Sequence, residues 1–279
     1  IRRMMLPGDD IALRVTNQTT TTISGLSEGI LWDFKENDIA EMVLEQYGVD
    51  DSLLPPIVPT FSDQGRVTEA AAKATGLPAG IPVAYRAGDQ PNNALALNVL
   101  EPGEVAATGG TSGVVYAVTD AALYDPKSRV NGFAHVNYTR EQPRIGVLMC
   151  INGAGIQYAW MKHNAMPAGM SYPAMEELAE SVPAGSEGVV VLPFGNGAER
   201  ILENRDLGAQ VHGLHFNRHT RAHLTRATLE GVAFAFAYGI EILQEMGLRM
   251  NILRVGNDNL FQSRIFATTV ATLAGSRIE

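Results

Sequence analysis

The chain has 279 residues, 46% of them hydrophobic and 18% charged, and carries a formal net charge of −9. That length holds one large domain or two modest ones with a substantial core, and the acidic balance argues against a nucleic-acid surface, which needs clustered Lys and Arg. No apolar run approaches a membrane span, and the single cysteine, Cys150 in "RIGVLMCI", cannot form an internal disulfide, so a cytoplasmic setting is expected.

The opening "IRRMMLPGDDIALRV" has no Met at its first position and reads as a helix already under way. To about Gly80 the pattern is mostly helical with Thr-rich and Pro-rich breaks. "TTTTISGLSEG" (Thr19 to Gly29) reads as a polar turn with capping hydroxyls, and Asp38 to Tyr47 as an amphipathic helix stopped by Gly48. "PPIVP" (Pro55 to Pro59) is a rigid extended connector, and "VTEAAAKATG" (Val67 to Gly76) is a second short helix. Pro82 to Ala87 is strand-like and Asn92 to Leu100 helix-like. "GEVAATGGTSGVVYAV" (Gly103 to Val118) predicts two strands joined by "GGTSG", with further strands at Phe133 to Tyr138 and Arg144 to Ile151. "GAGIQYAWMKHN" begins a helix, Gly188 to Phe194 is a buried strand, and Arg221 to Met246 is a long helix. "ILRVGNDN" is a strand and loop, followed by a helix at Ser263 to Leu273 and, in "GSRIE", a strand just starting. A meander followed by alternating helices and strands implies an α/β domain with a mixed sheet. The composition shifts from helical to sheet-rich between Asp89 and Gly103, and both ends read as those of a piece of a longer protein.

Several stretches carry candidate chemistry. In "ATGGTSG" (Ala107 to Gly113), a tight turn can aim backbone N–H groups and the Thr111 and Ser112 hydroxyls at one anion; a plain hairpin turn uses the same residues. No Gly-x-x-x-x-Gly-Lys-Ser/Thr loop occurs, which excludes an ordinary P-loop. "NGAG" (Asn152 to Gly155) lies between a strand and a helix, where helix N–H groups can meet an anion or simply pack. Glu199 and Arg200 in "FGNGAER" are read as charges that pin a loop. His215, His219 and His223 are spaced by four, but no Glu or Cys completes a metal set, so capping or surface roles are expected and no metal ligand is assigned. Asp89, in "PVAYRAGDQPNNALALNVL", ends a strand-like run. It can cap the following helix, or take a proton from a substrate hydroxyl as that oxygen attacks phosphorus.

Taken together, "AGDQ", "GGTSG", "LPFGNGAER" and "AQVHGLHFNRHTRAHLTRATLEG" resemble the FGGY family of carbohydrate kinases. The last block is the most specific: Ala209, Val211, Gly213 and Leu214, then His223, Leu224, Ala227, Thr228, Leu229 and Glu230, fit the family's second signature. "LWDF" (Leu31 to Phe34) and "SGLSEG" extend the likeness over nearly the whole chain, and within the family it looks most like the D-xylulose kinases.

The resemblance implies an α/β protein of the actin-like ATPase (RNase H-like) fold, with ATP and sugar between two domains. Residues 1–100 would be the latter part of the first domain and 101–279 a truncated nucleotide-binding second domain. Asp89 matches the catalytic base and Gln90 a sugar-contacting position. Gly110, Thr111, Ser112 and Gly113 match a phosphate-binding hairpin, and Gly153 and Gly155 a loop near the nucleotide. In "VGNDNLFQS" only Gly256 and Ser263 match the adenosine loop. The implied ligands are a small sugar, D-xylulose first, and ATP, which brings Mg²⁺. No nucleic acid or membrane partner is expected, and a homodimer is among the expected assemblies. The family's N-terminal Asp-x-Gly-Thr loop does not occur in the chain, so these residues alone are expected to be inactive. Competing readings are a kinase for ribulose, gluconate or glycerol, and a non-catalytic actin-like sensor, which would have no need of a base at Asp89.

Overall fold

The computed structural model describes residues 3–279. The backbone divides into two compact units. The first holds the chain up to Pro102, with Val118–Leu123 and Gly132–Gly146; the second holds Gly103–Ala117, Tyr124–Asn131 and Val147–Glu279.

In the first unit, helix α1 (Pro7–Thr16) begins at a proline, whose missing N–H is no loss in a first turn. Helix α2 (Ile23–Glu28) is capped by Thr22, whose hydroxyl accepts the Gly25 N–H at 3.1 Å. The Thr-rich stretch is therefore a helix start, with the expected capping hydroxyl but more regular than a turn. Strands β1 (Trp32–Asp33) and β2 (Asp38–Ile39) form a two-stranded ribbon. Helix α3 (Glu41–Tyr47) follows; Asp38 belongs to the ribbon, so this helix starts later than the periodicity suggests, while Gly48 ends it in the left-handed conformation (φ 62°) as expected. Helix α4 (Glu69–Thr75) is bracketed by its Thr68 cap and by Gly76 at φ 78°.

The first stretch is thus less helical than its composition predicts. Between Thr60 and Asp89 the chain is irregular apart from α4. Pro82 to Ala87 is not a strand, and only the isolated bridges Phe61↔Tyr85 and Arg66↔Pro82 tie it to its neighbours; Pro82 has no N–H to give a ladder. Helix α5 (Asp89–Ala96) starts and stops earlier than the expected Asn92 to Leu100. Pro91 is tolerated because it falls in the first turn, where no intrahelical acceptor waits for its N–H. The core of this unit joins Leu26, Trp32, Leu44 and Leu54 to Ala134, Tyr138 and Ile145. Trp32 Nε1 donates to the Tyr138 hydroxyl at 3.2 Å, and that hydroxyl donates to Asn37 Oδ1 at 2.7 Å, so both buried aromatic polar groups are satisfied.

The main sheet uses β3 (Glu104–Gly109), β4 (Gly113–Thr119), β5 (Asn131–Ala134), β6 (Ile145–Ile151) and, after two more strands, β9 (Ile252–Val255), in the order β5-β6-β4-β3-β9. β3 and β4 pair antiparallel and close on Gly109↔Gly113; β3 and β9 pair parallel. β5 starts and stops earlier than predicted, because the backbone turns after Ala134, where the Tyr138 N–H bonds His135 O at 3.0 Å. Near the end of the chain, Ile278 bridges Leu253 in parallel.

The helices of the second unit are α6 (Gly155–Asn164), α7 (Tyr172–Glu180), α8 (Arg221–Glu245) and α9 (Arg264–Ala274). Strands β7 (Val190–Leu192) and β8 (Gln210–His212) form a separate antiparallel pair. β7 is shorter than Gly188 to Phe194, since Gly188 sits at φ 92° and cannot extend it. Helix α8 is apolar on most sides and packs against α6, α7, α9 and β7. Gly231 lets it meet β7: a Cβ there would stand 2.0 Å from Val191 O.

Candidate functional site

Asp89 is the first residue of α5 and is exposed, at the helix end where the backbone dipole favours a carboxylate. It does not cap the helix. Gly88 is the N-cap and offers no side chain. Gln90 follows, half-buried. The segment leading to Asp89 is anchored by Arg86, which pairs with buried Asp9 at 3.1 Å and donates to Thr20 O at 2.8 Å. Burial lowers the Arg86 pKa and raises that of Asp9, and each charge opposes the other's shift. Just after the site, Tyr85 OH bonds Asn92 Oδ1, and Asn92 Nδ2 donates to Ala87 O at 3.2 Å, so both sides of the α5 start are tied.

Glu28, which sequence reasoning passed over, lies at this helix start. A Cβ on Gly88 would stand 1.8 Å from Glu28 Oε1. Burial first and the Asp89 charge second push the Glu28 carboxyl up to about 7. The glycine before Asp89 is the signal in the sequence: a helix start without a capping side chain needs an acceptor from elsewhere.

In the second unit a cleft of about 830 Å³ is lined by Gly109, Gly110, Thr111, Gly155, Tyr158, Tyr172, Glu176, Asn259, Gln262 and Ser263, among others. Of the predicted nucleotide residues, Gly110, Thr111, Gly155 and Ser263 meet here. Ser112, Gly113, Gly153 and Gly256 do not line it. Thr111 is exposed at the tip of the β3–β4 turn. Gly113 is a packing residue, since a Cβ would strike the Phe236 ring at 2.4 Å. The Ser263 hydroxyl caps α9, accepting the Phe266 N–H at 3.1 Å.

The "NGAG" loop does not present free helix amides. Gly155 N donates to Gly110 O at 2.9 Å and Ile156 N to Thr111 O at 3.1 Å. Asn152 N and Gly153 N donate to the two carboxylate oxygens of Glu199, at 2.9 and 2.8 Å. A Cβ on Gly153 would stand 1.5 Å from Pro193 O. This loop braces the turn that carries Thr111, and Glu199 braces the loop, as a pinning charge should. Burial raises the Glu199 pKa against the pull of those two N–H groups. Arg200 ties down another segment by donating to Ser128 O at 2.7 Å.

Tyr158 and Tyr172 were also missed. Their rings stack at 5.3 Å on one wall of the cleft, with Lys162 Nζ 4.0 Å from the Tyr172 ring centre. The Tyr158 hydroxyl is buried without a hydrogen-bond partner, and burial raises its pKa. Glu176 accepts the Ile265 N–H at 2.9 Å and so links α7 to α9. Glu230, within the signature block, accepts from Gly185 N at 3.0 Å and Arg226 Nε at 2.7 Å, and is structural.

The histidine series serves its own backbone. His219 Nδ1 accepts the His215 N–H at 2.9 Å, and His223 Nδ1 accepts the Thr220 N–H at 3.0 Å, closing the start of α8. Among the described residues no group of three His, Cys, Asp or Glu side chains can hold a metal, and no helix is long and apolar enough to cross a membrane. Cys150 is half-buried in β6, and burial raises its pKa.

Comparison with known proteins agrees with this layout. The chain is 26% identical over 288 residues to the xylulose kinase of Escherichia coli, a match covering 100% of this chain and 56% of that protein. It is 28% identical over 216 residues to the gluconokinase of Bacillus subtilis, covering 74% and 40%. The crystal structure of xylulose kinase from Rhodospirillum rubrum superposes with a TM-score of 0.81 at 28% identity, over 97% of this chain and 53% of that one. The chain therefore spans about half the length of these relatives. The architecture is that of the actin-like ATPase fold. The N-terminal domain of the FGGY family of carbohydrate kinases matches residues 1–96 and its C-terminal domain residues 105–268, and the chain belongs to that family.

Proposed function

We propose that these residues form about half of an ATP-dependent sugar kinase that phosphorylates D-xylulose to D-xylulose 5-phosphate. The observation that carries the catalytic part is Asp89, an exposed carboxylate held at the start of α5 by a tied backbone on either side. As the general base it takes the proton of the acceptor hydroxyl while that oxygen bonds to the γ-phosphorus and the bond to the ADP oxygen breaks. Gln90 supplies an amide to the sugar. The first domain would be residues 1–100 and the nucleotide-binding domain residues 101–279.

The second-unit cleft fits a nucleotide. Its volume lies in the range of small-molecule sites. It has a braced glycine turn with the Thr111 hydroxyl at its tip, an aromatic wall, and an unsatisfied Tyr158 hydroxyl for a polar ligand atom. Mg²⁺ arrives with ATP, since hard cations favour phosphate oxygens; when bound it neutralises charge on the phosphates. D-Xylulose is favoured by the likeness of the whole chain to xylulose kinases. The gluconokinase match supports a sugar-acid kinase as the second reading.

ADP release by the complete kinase, measured over a panel of ketoses, polyols and sugar acids, tests the proposal. D-Xylulose should give the highest kcat/KM. A preference for gluconate selects the second reading, and sugar binding without ADP release refutes a kinase. The 279 residues alone should show no sugar-dependent turnover, because phosphoryl transfer depends on positioning groups around the γ-phosphate that half a kinase cannot supply. A rate typical of kinases, on the order of 1 per second or more, from this chain alone overturns that part.

A further inference from the structure

Helix α5 begins in an unusual way. Its N-cap is Gly88, which has no acceptor with which to close the first turn. The place of that missing side chain is taken by Glu28, the last residue of α2, whose carboxyl fills the space a Cβ on Gly88 would need. Ser24, one turn earlier on α2, accepts the Gly88 N–H at 3.3 Å, and the Asp89 N–H acts on the Glu28 carboxyl, pulling its pKa down. Glu28 Oε1 is buried and has no hydrogen-bond partner. Asp89 follows at the next position, so two carboxyl groups share one helix start, one directed inward and the other exposed.

We propose that Glu28 is a positioning residue for Asp89: its carboxyl packs against the Gly88 backbone where an N-cap side chain would stand, and its protonation responds to the Asp89 carboxyl beside it. The proposal rests on the reading of Asp89 as the base. A negative charge beside a carboxyl disfavours its ionisation. Burial, then the Asp89 charge, raises Glu28 to about 7; the Asp89 N–H opposes this less strongly. Asp89 is the charged group that acts on Glu28. Arg86, the nearest cation along the chain, is already engaged by Asp9 at 3.1 Å. Near neutral pH Glu28 therefore passes between its neutral and its charged form. The hydroxyl proton that leaves the sugar goes to the Asp89 oxygen as the new O–P bond forms and the bond to the ADP oxygen breaks.

The Asp89 backbone amide, which acts on the Glu28 carboxyl, reports the Glu28 titration by nitrogen-15 NMR on this chain. The amide should show a step near the Glu28 value of about 7. Glu28→Gln, close to isosteric, should abolish the step with the fold retained. Asp89→Asn should move it to lower pH, because the neighbouring charge is gone. A step that survives in Glu28→Gln, or that stays in place in Asp89→Asn, overturns the coupling. In the complete kinase, the pH profile of kcat/KM should show an ionisation near that same step, lost in Glu28→Gln; a uniform loss at every pH would mean Glu28 only supports the fold. Coupled titration together with normal turnover of Asp89→Asn would overturn Asp89 as the base, while leaving the carboxyl pair in place.

Discussion

Replacing Glu199 by Ala tests whether the glycine loops of the second unit are held by one buried carboxylate. Glu199 is fully buried and accepts from Asn152 N at 2.9 Å and Gly153 N at 2.8 Å. Alanine leaves both N–H groups without an acceptor, at about 1–3 kcal/mol each. The buried charge carries its own desolvation cost, which the variant no longer bears, so a net loss of about 3 kcal/mol is expected. For a unit of this size that lowers Tm by roughly 6–12 °C, read from calorimetric melts at neutral pH. The pH dependence gives a second check. The folded-state pKa of Glu199 is raised, so the folded chain holds the proton more tightly than the unfolded chain. The wild type therefore loses stability as pH climbs from the ordinary Glu range through the raised value, and the variant lacks that slope. The gap between the two melts should narrow as pH rises. A change under about 2 °C, or a gap that widens with pH, refutes the brace.

On the proposed function, Asp89→Asn in the complete protein should lower kcat by about a hundredfold or more with sugar binding retained; calorimetric titration with sugar alongside turnover separates the two effects, and near-normal turnover removes Asp89 as the base. Thr111→Val should raise the KM for ATP by about tenfold or more, the loss of one hydrogen bond to a charged group, and a rise confined to the sugar KM would place this turn on the other ligand. Elemental analysis after dialysis should find no stoichiometric zinc on the His215, His219 and His223 series, because two of the three rings already use Nδ1 on backbone N–H groups.

The sequence showed the hairpin of the second unit clearly, because a glycine turn between two apolar runs has few other solutions. The α8 and α9 helices were equally plain, since Ser263 and the polar run before Arg221 mark their starts. The extent of α5 is hard to read because Gly88 offers no capping side chain, and the Glu28 carboxyl that packs against it comes from another helix rather than from the local sequence. The short pair β7 and β8 was half hidden, since β8 has three residues, two of them exposed, and so lacks an alternating pattern to read. The aromatic wall was missed for a related reason. Tyr158 and Tyr172 lie on different helices, and only packing stacks their rings.

The residues that make the family visible and those proposed to do its chemistry are largely different sets. Glu230 and Glu199 are fully engaged in holding loops. Gly231 and Gly153 stand where any side chain would strike a carbonyl. A change at any of these is felt throughout the unit, since close-packed backbone has no room to yield. Asp89 and Thr111, by contrast, are exposed, with little packed against them. Their placement depends on neighbours that are not exposed: the Gly88–Glu28 contact for one, and the Gly155 and Ile156 amides on the carbonyls of Gly110 and Thr111 for the other. Substituting Asp89 or Thr111 should therefore impair chemistry with little effect on stability. Substituting Glu199 should impair stability first, and chemistry only through the displaced Thr111 turn. That difference separates reacting groups from supporting ones without reference to the identity of the sugar.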